Sequence, residues 1–216
     1  MSDWSPISIQ EFDAMALVDD ADVNTLTSRL ILDRLPYAFD SKIQYLDWRD
    51  DLGESLELDG RDLTLVGSAA TGRSLSARKQ FGIFGKGSDI DLAVVSHAHF
   101  DRAWTWFRLT DPTLLMLDEE GIRQFEQHRK HHVYEGVIAA NVFLSYLPFG
   151  AEWNKQLQRA SKQLPSILQG RRLNVRVYKD YAALRWAQSQ SLTAFRRYKA
   201  ARPSIESGEG SDRKLP

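Results

Sequence analysis

The chain has 216 residues and a formal net charge of −1, and its 43% hydrophobic and 26% charged residues are typical of an ordinary globular protein. A net charge so close to zero excludes a global electrostatic field that attracts nucleic acid, so any anion-binding surface must be a local patch. The lack of cysteine excludes a disulfide scaffold and a thiolate metal site, and it slightly favours a reducing compartment.

The two ends of the chain set the expected domain limits. The first residues are acidic and lack the apolar segment of a signal peptide, and no run of about 18 apolar residues could cross a membrane. We therefore expect a cytoplasmic protein with no membrane partner. Residues 1–22 are a mixed N-terminal segment, and residues 23–200 carry the helix and strand patterns of a domain. Residues 201–216 are rich in Ser, Gly, Pro and charge, which predicts a disordered tail.

Helical and strand patterns alternate along residues 23–200. Apolar residues recur at three- and four-residue spacing from Leu26 to Leu35, until Pro36 interrupts the pattern. A long final helix is predicted after Asp180, which is a plausible N-cap. Further helices are predicted at residues 41–56, 100–109, 118–132 and 151–164, and strands at 61–68, 88–96 and 171–180. These elements predict an α/β or α+β fold, with a small mixed β-sheet flanked by many helices.

Two aspartates begin the second predicted strand. Residues two apart on a strand point to the same side, so Asp89 and Asp91 share one face. Two neighbouring carboxylates repel each other unless a cation lies between them. Mg²⁺ is commonly bound by one or two carboxylates together with substrate phosphates, so the pair predicts a divalent metal site.

A small-residue turn, Gly67-Ser68, ends the first predicted strand. Such a turn at the start of a helix presents backbone N–H groups and a hydroxyl to phosphate. Residues 67–74 also differ by one residue from a P-loop, because Arg73 stands where the P-loop has lysine. A planar guanidinium does not replace a compact ammonium inside so tight a loop. A P-loop phosphotransferase is therefore the least favoured interpretation.

Together, these two motifs resemble the DNA polymerase beta-like nucleotidyltransferase superfamily. The resemblance rests on Val66-Gly67-Ser68 and on Asp89-Ile90-Asp91-Leu92, within about 30 residues. It implies the nucleotidyltransferase fold and transfer of a nucleoside monophosphate, NMP or dNMP, from a nucleoside triphosphate to a hydroxyl. It further implies two Mg²⁺ ions, or Mn²⁺, on Asp89 and Asp91, and contacts from Gly67 and Ser68 to the triphosphate. Ser88 would help through its hydroxyl or its backbone N–H.

The sequence departs from the family pattern in two ways. Twenty residues separate Ser68 from Asp89, which is more than usual, and residues 74–87 are interpreted as an insertion beside the site. The third carboxylate of the family is also missing from the polar face of the predicted strand at 171–180. Either Asp180 or Glu135 replaces it from a neighbouring element, or the third ligand is absent.

Several cations are candidates for phosphate binding. A cluster of four cations lies between the turn and the carboxylates: Arg73, Arg78, Lys79 and Lys86. The cluster would hold the triphosphate or the backbone of an acceptor. The alternative is that these residues are only the solvated side of a helix and a loop. Arg176 would point at the same cleft as a phosphate contact or as a partner of Asp89.

Two functions from different classes follow. The first is a Mg²⁺-dependent nucleotidyltransferase whose acceptor is a protein side chain, an RNA or antibiotic hydroxyl, or another nucleotide. Stand-alone bacterial members of the family often belong to toxin–antitoxin or anti-phage systems, which implies a partner protein encoded alongside. The second is a catalytically degenerate protein of the same fold that binds its ligand as an antitoxin or regulator, because the third acid is not identified.

Overall fold

A mixed four-stranded sheet lies within the part of the chain that the computed structural model describes, residues 7–18, 21–165 and 168–202. Its strand order is β1-β2-β4-β3, with β2 and β4 parallel and with β1 and β3 antiparallel at the two edges. The strands are β1 (Leu63–Val66), β2 (Ile90–Val95), β3 (Val137–Ala139) and β4 (Leu173–Tyr178). The small mixed sheet among helices confirms the predicted α+β fold class.

Helices surround this sheet, and the longer ones after residue 40 lie where the apolar spacing predicts them. Asp180 caps the last helix as expected, since its side chain accepts a hydrogen bond of 2.8 Å from the backbone N–H of Ala183. None of the described helices is both long and apolar enough to span a membrane. The helices are α1 (Ile9–Ala16), α2 (Val23–Thr27), α3 (Lys42–Ser55), α4 (Ser68–Thr71), α5 (His97–Leu109), α6 (Glu119–Gln127), α7 (Ala140–Phe143), α8 (Gly150–Gln163) and α9 (Tyr181–Ala200).

The two faces of the sheet differ in what they contact. One face carries Leu65, Leu92 and Val175, which are buried in an apolar cluster with residues of α3, α5 and α8. The opposite face carries Asp91 and Asn174, and we call it the site face. Apolar residues of the site face pack with α1, α2 and α9, but its polar positions leave space for a cavity. Alternation along the strands therefore separates the main core from the candidate site.

Three elements were not expected from the sequence: α1, the single-turn helix α7 and β3. Helix α1 lies in the predicted N-terminal segment, where Ser8 and Glu11 form a reciprocal capping box and Phe12 packs against Phe195 of α9. Strand β3 is only three residues long, too short for a periodic pattern, and it forms because it pairs with β4. Most of the predicted disordered tail, residues 203–216, lies outside the described residues.

Candidate functional site

The turn after β1 brings the chain against the carboxylate of Asp91. Gly67 has φ +64° and ψ −150°, a conformation essentially restricted to glycine. A Cβ atom at this position would lie 2.8 Å from Oδ2 of Asp91. Val66 is in register with Asp91 across the antiparallel pair, so strand pairing fixes this approach. The two motifs singled out in the sequence therefore meet in space.

A cavity of about 330 Å³ lies above this meeting point. Gly67 and Ser68 form one wall, and Asp89 and Asp91 line another. Ser68 is buried and begins the single-turn helix α4. The side chain of Asp89 is half exposed, since it precedes the first residue of β2. A small molecule in the cavity can therefore contact the turn and both carboxylates at once.

Three cationic side chains face the same space: Arg78 and Lys79 from the insertion and Arg176 from β4. Lys79 Nζ lies 4.0 Å from Oδ2 of Asp89, so Lys79, rather than Arg176, is the cation beside that carboxylate. Phosphate oxygens form strong charge-assisted bonds with such groups. The cavity therefore offers both cationic groups for phosphate and carboxylates for a metal ion.

The insertion reaches the cavity because it folds back as a short hairpin. Ser74 and Phe84 donate backbone hydrogen bonds to Gly82 and Gly72, at 2.8 and 2.9 Å. A bridge between Arg73 and Ile83 closes the same ladder. The tip of the hairpin contains the 3₁₀ turn Ala77–Lys79, which carries the two cations to the cavity.

Arg73 does not line the cavity, contrary to its assignment as a nucleotide-binding residue. Its Nε lies 2.8 Å from Oδ1 of Asp13, and a terminal nitrogen donates to the carbonyl of Phe81 at 2.9 Å. Lys199 of α9 binds the second oxygen of Asp13 at 3.1 Å. Arg73 therefore fastens the hairpin to α1 and α9, because the chain turns outward after Gly72.

The P-loop interpretation does not fit this geometry. A P-loop wraps its glycine-rich segment around phosphate before the helix starts at the conserved lysine. In this chain helix α4 starts at Ser68, directly after the first glycine, and it ends at Thr71. Gly72 then adopts a left-handed conformation, and residues 73 and 74 enter the hairpin instead of a helix.

No third acid lines the cavity among the described residues. Asn174 of β4 is the in-register partner of Asp91 and occupies the neighbouring position on the site face. Of the two predicted replacements, Asp180 caps α9, and Glu135 lies 3.7 Å from Nδ1 of His132. Neither reaches the cavity.

Lys86 and Ser88 lie beside the cavity rather than in it. They line a second, more open depression together with Asp89, which borders both spaces. The hydroxyl of Ser88 accepts a hydrogen bond of 3.1 Å from the backbone N–H of Gly85 and so shapes the end of the insertion. The structure therefore separates the predicted phosphate-binding residues into two groups on either side of Asp89.

The donor set is compatible with one divalent cation held jointly with a substrate. The described residues contain no group of three or more His, Cys, Asp or Glu side chains that could hold a metal ion by themselves. Asp89 and Asp91 supply two carboxylates, and the side-chain oxygen of Asn174 is a third hard donor in the cavity. Mg²⁺ commonly needs no more from a protein when phosphates complete its coordination. The second ion implied by the resemblance stays a prediction.

Several lining residues were not identified as site residues from the sequence, and three of them belong to helices. Gln188 and Ser191 project from α9, and Asn141 belongs to α7. Gln188 is buried and donates to the hydroxyl of Tyr178 at 3.4 Å, while Asn141 accepts from the backbone N–H of Val175. For Gln188 the available signal was an amide among the apolar positions of a long helix, since a buried polar group needs a partner.

No family model, curated protein or solved structure matches this chain. Its function is therefore inferred from the residues and geometry of the cavity.

Proposed function

We propose that the protein transfers a nucleoside monophosphate from a nucleoside triphosphate to a hydroxyl group, with Mg²⁺ as its cofactor. One observation carries the proposal: Gly67 faces Asp91 so closely that an added Cβ would lie 2.8 Å from its carboxylate, at a cavity also lined by Ser68, Asp89 and cations from two separate segments. Asp89 and Asp91 line the same cavity, and neighbouring carboxylates repel each other unless a cation lies between them. The cytoplasm is the proposed location, in keeping with this substrate.

The proposed reaction is a displacement at the α-phosphorus. The acceptor oxygen forms a bond to this atom, the bond between it and the bridging oxygen of pyrophosphate breaks, and pyrophosphate leaves with the electron pair. The hydroxyl proton is released to water, since no third carboxylate lines the cavity among the described residues. A bound divalent ion would neutralise phosphate charge and lower the pKa of the attacking hydroxyl.

The protein contributes positioning and charge. Ser68 and the backbone of the Gly67 turn hold the β- and γ-phosphates, as exposed N–H groups at such turns do for anions. Arg78, Lys79 and Arg176 line the same cavity and would neutralise the triphosphate. Asp89 and Asp91 hold the ion. Since the cavity walls are fixed by strand pairing, the reacting groups are aligned before the reaction begins.

Incubation with each α-labelled nucleoside triphosphate, Mg²⁺ or Mn²⁺, and a panel of hydroxyl acceptors tests the proposal. We expect label to move to an acceptor and pyrophosphate to appear in equal amount. The double variant Asp89→Asn with Asp91→Asn keeps the side-chain size and should lose both signals. Wild-type protein that binds triphosphate but releases no pyrophosphate with any acceptor would overturn the proposal.

A second candidate is a protein that binds nucleotide without turnover. Asn174 favours it, because this amide occupies the position beside Asp91 where an acid would complete the ligand set. An amide cannot accept the hydroxyl proton at neutral pH, and general-base assistance contributes on the order of 10²–10⁴ in rate. The proposed enzyme would therefore be slow, and the second candidate would be inactive.

Asn174→Asp separates these two candidates. The new carboxylate would lie next to Asp91 and is expected to tighten Mn²⁺ binding by about tenfold, since an added anionic ligand strengthens a hard-cation site. Transfer at limiting metal should increase if the wild type is a slow enzyme, and it should appear for the first time if the wild type only binds. Asn154→Asp on α8 is the control with the same charge change, and it should alter neither quantity.

If Asn174→Asp leaves Mn²⁺ affinity unchanged, then residue 174 does not face the metal. That result would contradict the inference that the strand register places residue 174 beside the ion. Electron paramagnetic resonance of free Mn²⁺ measures the affinity without requiring activity.

A further inference from the structure

The open depression beside the cavity contains a concentration of positive charge. It has a volume of about 470 Å³ and is lined by Lys86, Arg171 and Arg172, which come from the insertion and from the residues leading into β4. Asp89 is the acid that it shares with the main cavity. A ligand in the depression would therefore lie directly beside one of the two carboxylates.

Arg171 gives the depression its shape. Its guanidinium donates to the carbonyls of Gly85 and Ser88 at 2.8 and 3.2 Å and lies 4.9 Å from the ring centre of Phe84. These contacts bind the end of the insertion to the start of β4. Arg171 is thus a positioning residue. Lys86 and Arg172 are exposed, and Arg172 donates a long hydrogen bond of 3.5 Å to the carbonyl of Asn141, which leaves its guanidinium further donors for a ligand.

Lys86 and Arg172 are the exposed cations of the depression. Within the part of the chain that the structure describes, no carboxylate forms an ion pair with either residue. Two adjacent cations repel each other, so an anion between them is favourable. Phosphate is the anion whose geometry and charge best suit an arginine beside a lysine.

Two glycines keep the rim of the depression open. A Cβ atom added to Gly87 or to Gly170 would meet nothing within 4 Å. The backbone at both places can therefore be approached closely by a ligand, which a side chain would prevent. The main cavity is walled by a hairpin and by α9, whereas this depression is open enough to admit part of a long molecule.

We propose that this depression binds the acceptor, and that the acceptor is a nucleotide whose attacking hydroxyl is close to a phosphate group. The inference rests on the proposed function and deepens it. Lys86 and Arg172 hold the phosphate, and the sugar hydroxyl next to it reaches the α-phosphorus across Asp89. A free mononucleotide and the 3′ end of a single RNA strand share this chemistry. A protein side chain carries no such phosphate and is the acceptor that the inference excludes.

A binding experiment tests the ligand without requiring activity. The double variant Lys86→Glu with Arg172→Glu is compared with Lys130→Glu with Lys155→Glu, whose lysine side chains are both 68% exposed and line neither space. We expect the first variant to bind a fluorescent single-stranded RNA about tenfold more weakly. The slope of log affinity against log salt should become shallower by about 1.4, the value for two phosphate contacts on a single strand.

Two further measurements keep the comparison specific. Mg²⁺-ATP affinity, measured by calorimetry, should fall by a clearly smaller factor than RNA affinity in the variant Lys86→Glu with Arg172→Glu, the depression variant, because the triphosphate lies in the other cavity and feels the reversed charges only through Asp89. Gly87→Val adds bulk without a change in charge where the added Cβ meets nothing within 4 Å, so it should fold and still weaken RNA binding. Equal RNA affinity in the two double variants, with Gly87→Val like wild type, would overturn the inference.

Transfer assays identify the source of the phosphate. AMP and a short RNA with a free 3′ hydroxyl are offered with labelled triphosphate, and a 3′-phosphorylated RNA is the blocked control. The inference is supported if label appears on AMP or on the free RNA, and if the depression variant, Lys86→Glu with Arg172→Glu, transfers less label because its KM for the acceptor is higher. Label on a protein side chain, equal in both variants, would overturn it while the proposed function stands. A third outcome is that only the depression variant loses RNA binding and that the wild type transfers label to no acceptor. This outcome would support RNA as the ligand of the depression and would contradict the proposed transfer reaction.

Discussion

Gly67 is the residue on which the geometry of the site depends most directly. Its φ is positive, and a Cβ atom added to it would lie only 2.8 Å from Oδ2 of Asp91, so there is no space for a side chain. Gly67→Ala is expected to lower the free energy of unfolding by about 1–3 kcal/mol through backbone strain. It should also weaken triphosphate binding, because the new methyl group displaces the carboxylate.

Gly136→Ala is a suitable comparison for that variant. Gly136 has φ +73° and lies at the far side of the sheet, where the added Cβ would meet the side chain of Ala183 at 3.0 Å. Urea unfolding should show a similar loss of stability in both variants, whereas calorimetry should show loss of triphosphate affinity for Gly67→Ala alone. Equal affinities would mean that the turn does not contact the triphosphate.

His128 makes the stability of the protein sensitive to acid. Burial, followed by the charges of His132 and Arg176, lowers its pKa from 6.5 to about 3. The ring is neutral in the fold, and Nε2 accepts a hydrogen bond of 3.2 Å from the backbone N–H of Ala139 in β3. Since the unfolded chain binds the proton more readily, this stabilisation is complete above pH 6.5 and is lost progressively towards pH 3.

Between pH 6.5 and pH 5 we expect this single group to remove about 2 kcal/mol from the free energy of unfolding. His128→Gln retains an acceptor for Ala139 but does not titrate, so its stability should fall less over the same interval. Parallel urea titrations at the two pH values measure the difference. Identical pH dependence of the two proteins would show that His128 is not held neutral.

At the scale of elements, the hairpin formed by the insertion contributes both to stability and to ligand binding, and different residues are responsible for each. Its base is fastened by Arg73 and Asp13, whose side chains are 17% exposed each, and by Phe81 packed against Tyr198 with ring centres 4.4 Å apart. Its tip presents Arg78 and Lys79, which are exposed. The base should therefore determine stability, and the tip should determine ligand binding.

Two pairs of substitutions separate these functions. Asp13→Asn leaves Arg73 and Lys199 without their carboxylate and is expected to lower the free energy of unfolding by about 2 kcal/mol. Arg78→Ala with Lys79→Ala should leave stability almost unchanged and weaken Mg²⁺-ATP binding by about tenfold, since charge-assisted phosphate contacts are lost. The opposite result would contradict these separate roles of base and tip: fully folded Asp13→Asn protein would bind triphosphate more weakly, while Arg78→Ala with Lys79→Ala would bind it like the wild type.

At the scale of the whole molecule, the cavity joins parts of the chain that are distant in sequence. Its lining comes from the end of β1, the insertion, β2, β4 and α9. A ligand that contacts all of them binds only the folded chain, so ligand binding and global stability are coupled. The expected stabilisation is about 2.7 kcal/mol at a ligand concentration one hundred times Kd.

For a chain of this size that stabilisation corresponds to an increase in Tm of about 5–10 °C. Scanning calorimetry with saturating Mg²⁺ and ATP measures it. The double variant Asp89→Asn with Asp91→Asn should show a much smaller increase, because the metal-bridged contacts are missing. A Tm that does not change with ligand in the wild type would rule out the cavity as the triphosphate site.

The sequence alone predicted the elements whose patterns are local. Apolar spacing placed α3, α5, α8 and α9, and short apolar runs placed β1, β2 and β4. The same patterns missed β3, which has three residues and depends on pairing with β4, and they missed α1, although Ser8 and Glu11 carried its capping signal. Local periodicity is visible in a sequence only where an element is long enough to show it.

For the site, the sequence by itself placed Asp89 and Asp91 on one side of a strand, through their spacing of two, and it placed a glycine-serine turn at the end of another strand. Only the tertiary structure decided which cations accompany them. It directed Arg73 to Asp13, Arg78 and Lys79 to the cavity, and Lys86 to the depression on the other side of Asp89. The reason is physical: the direction of a side chain within a hairpin depends on where the hairpin docks, and docking is set by contacts with α1 and α9, which are far away in the sequence.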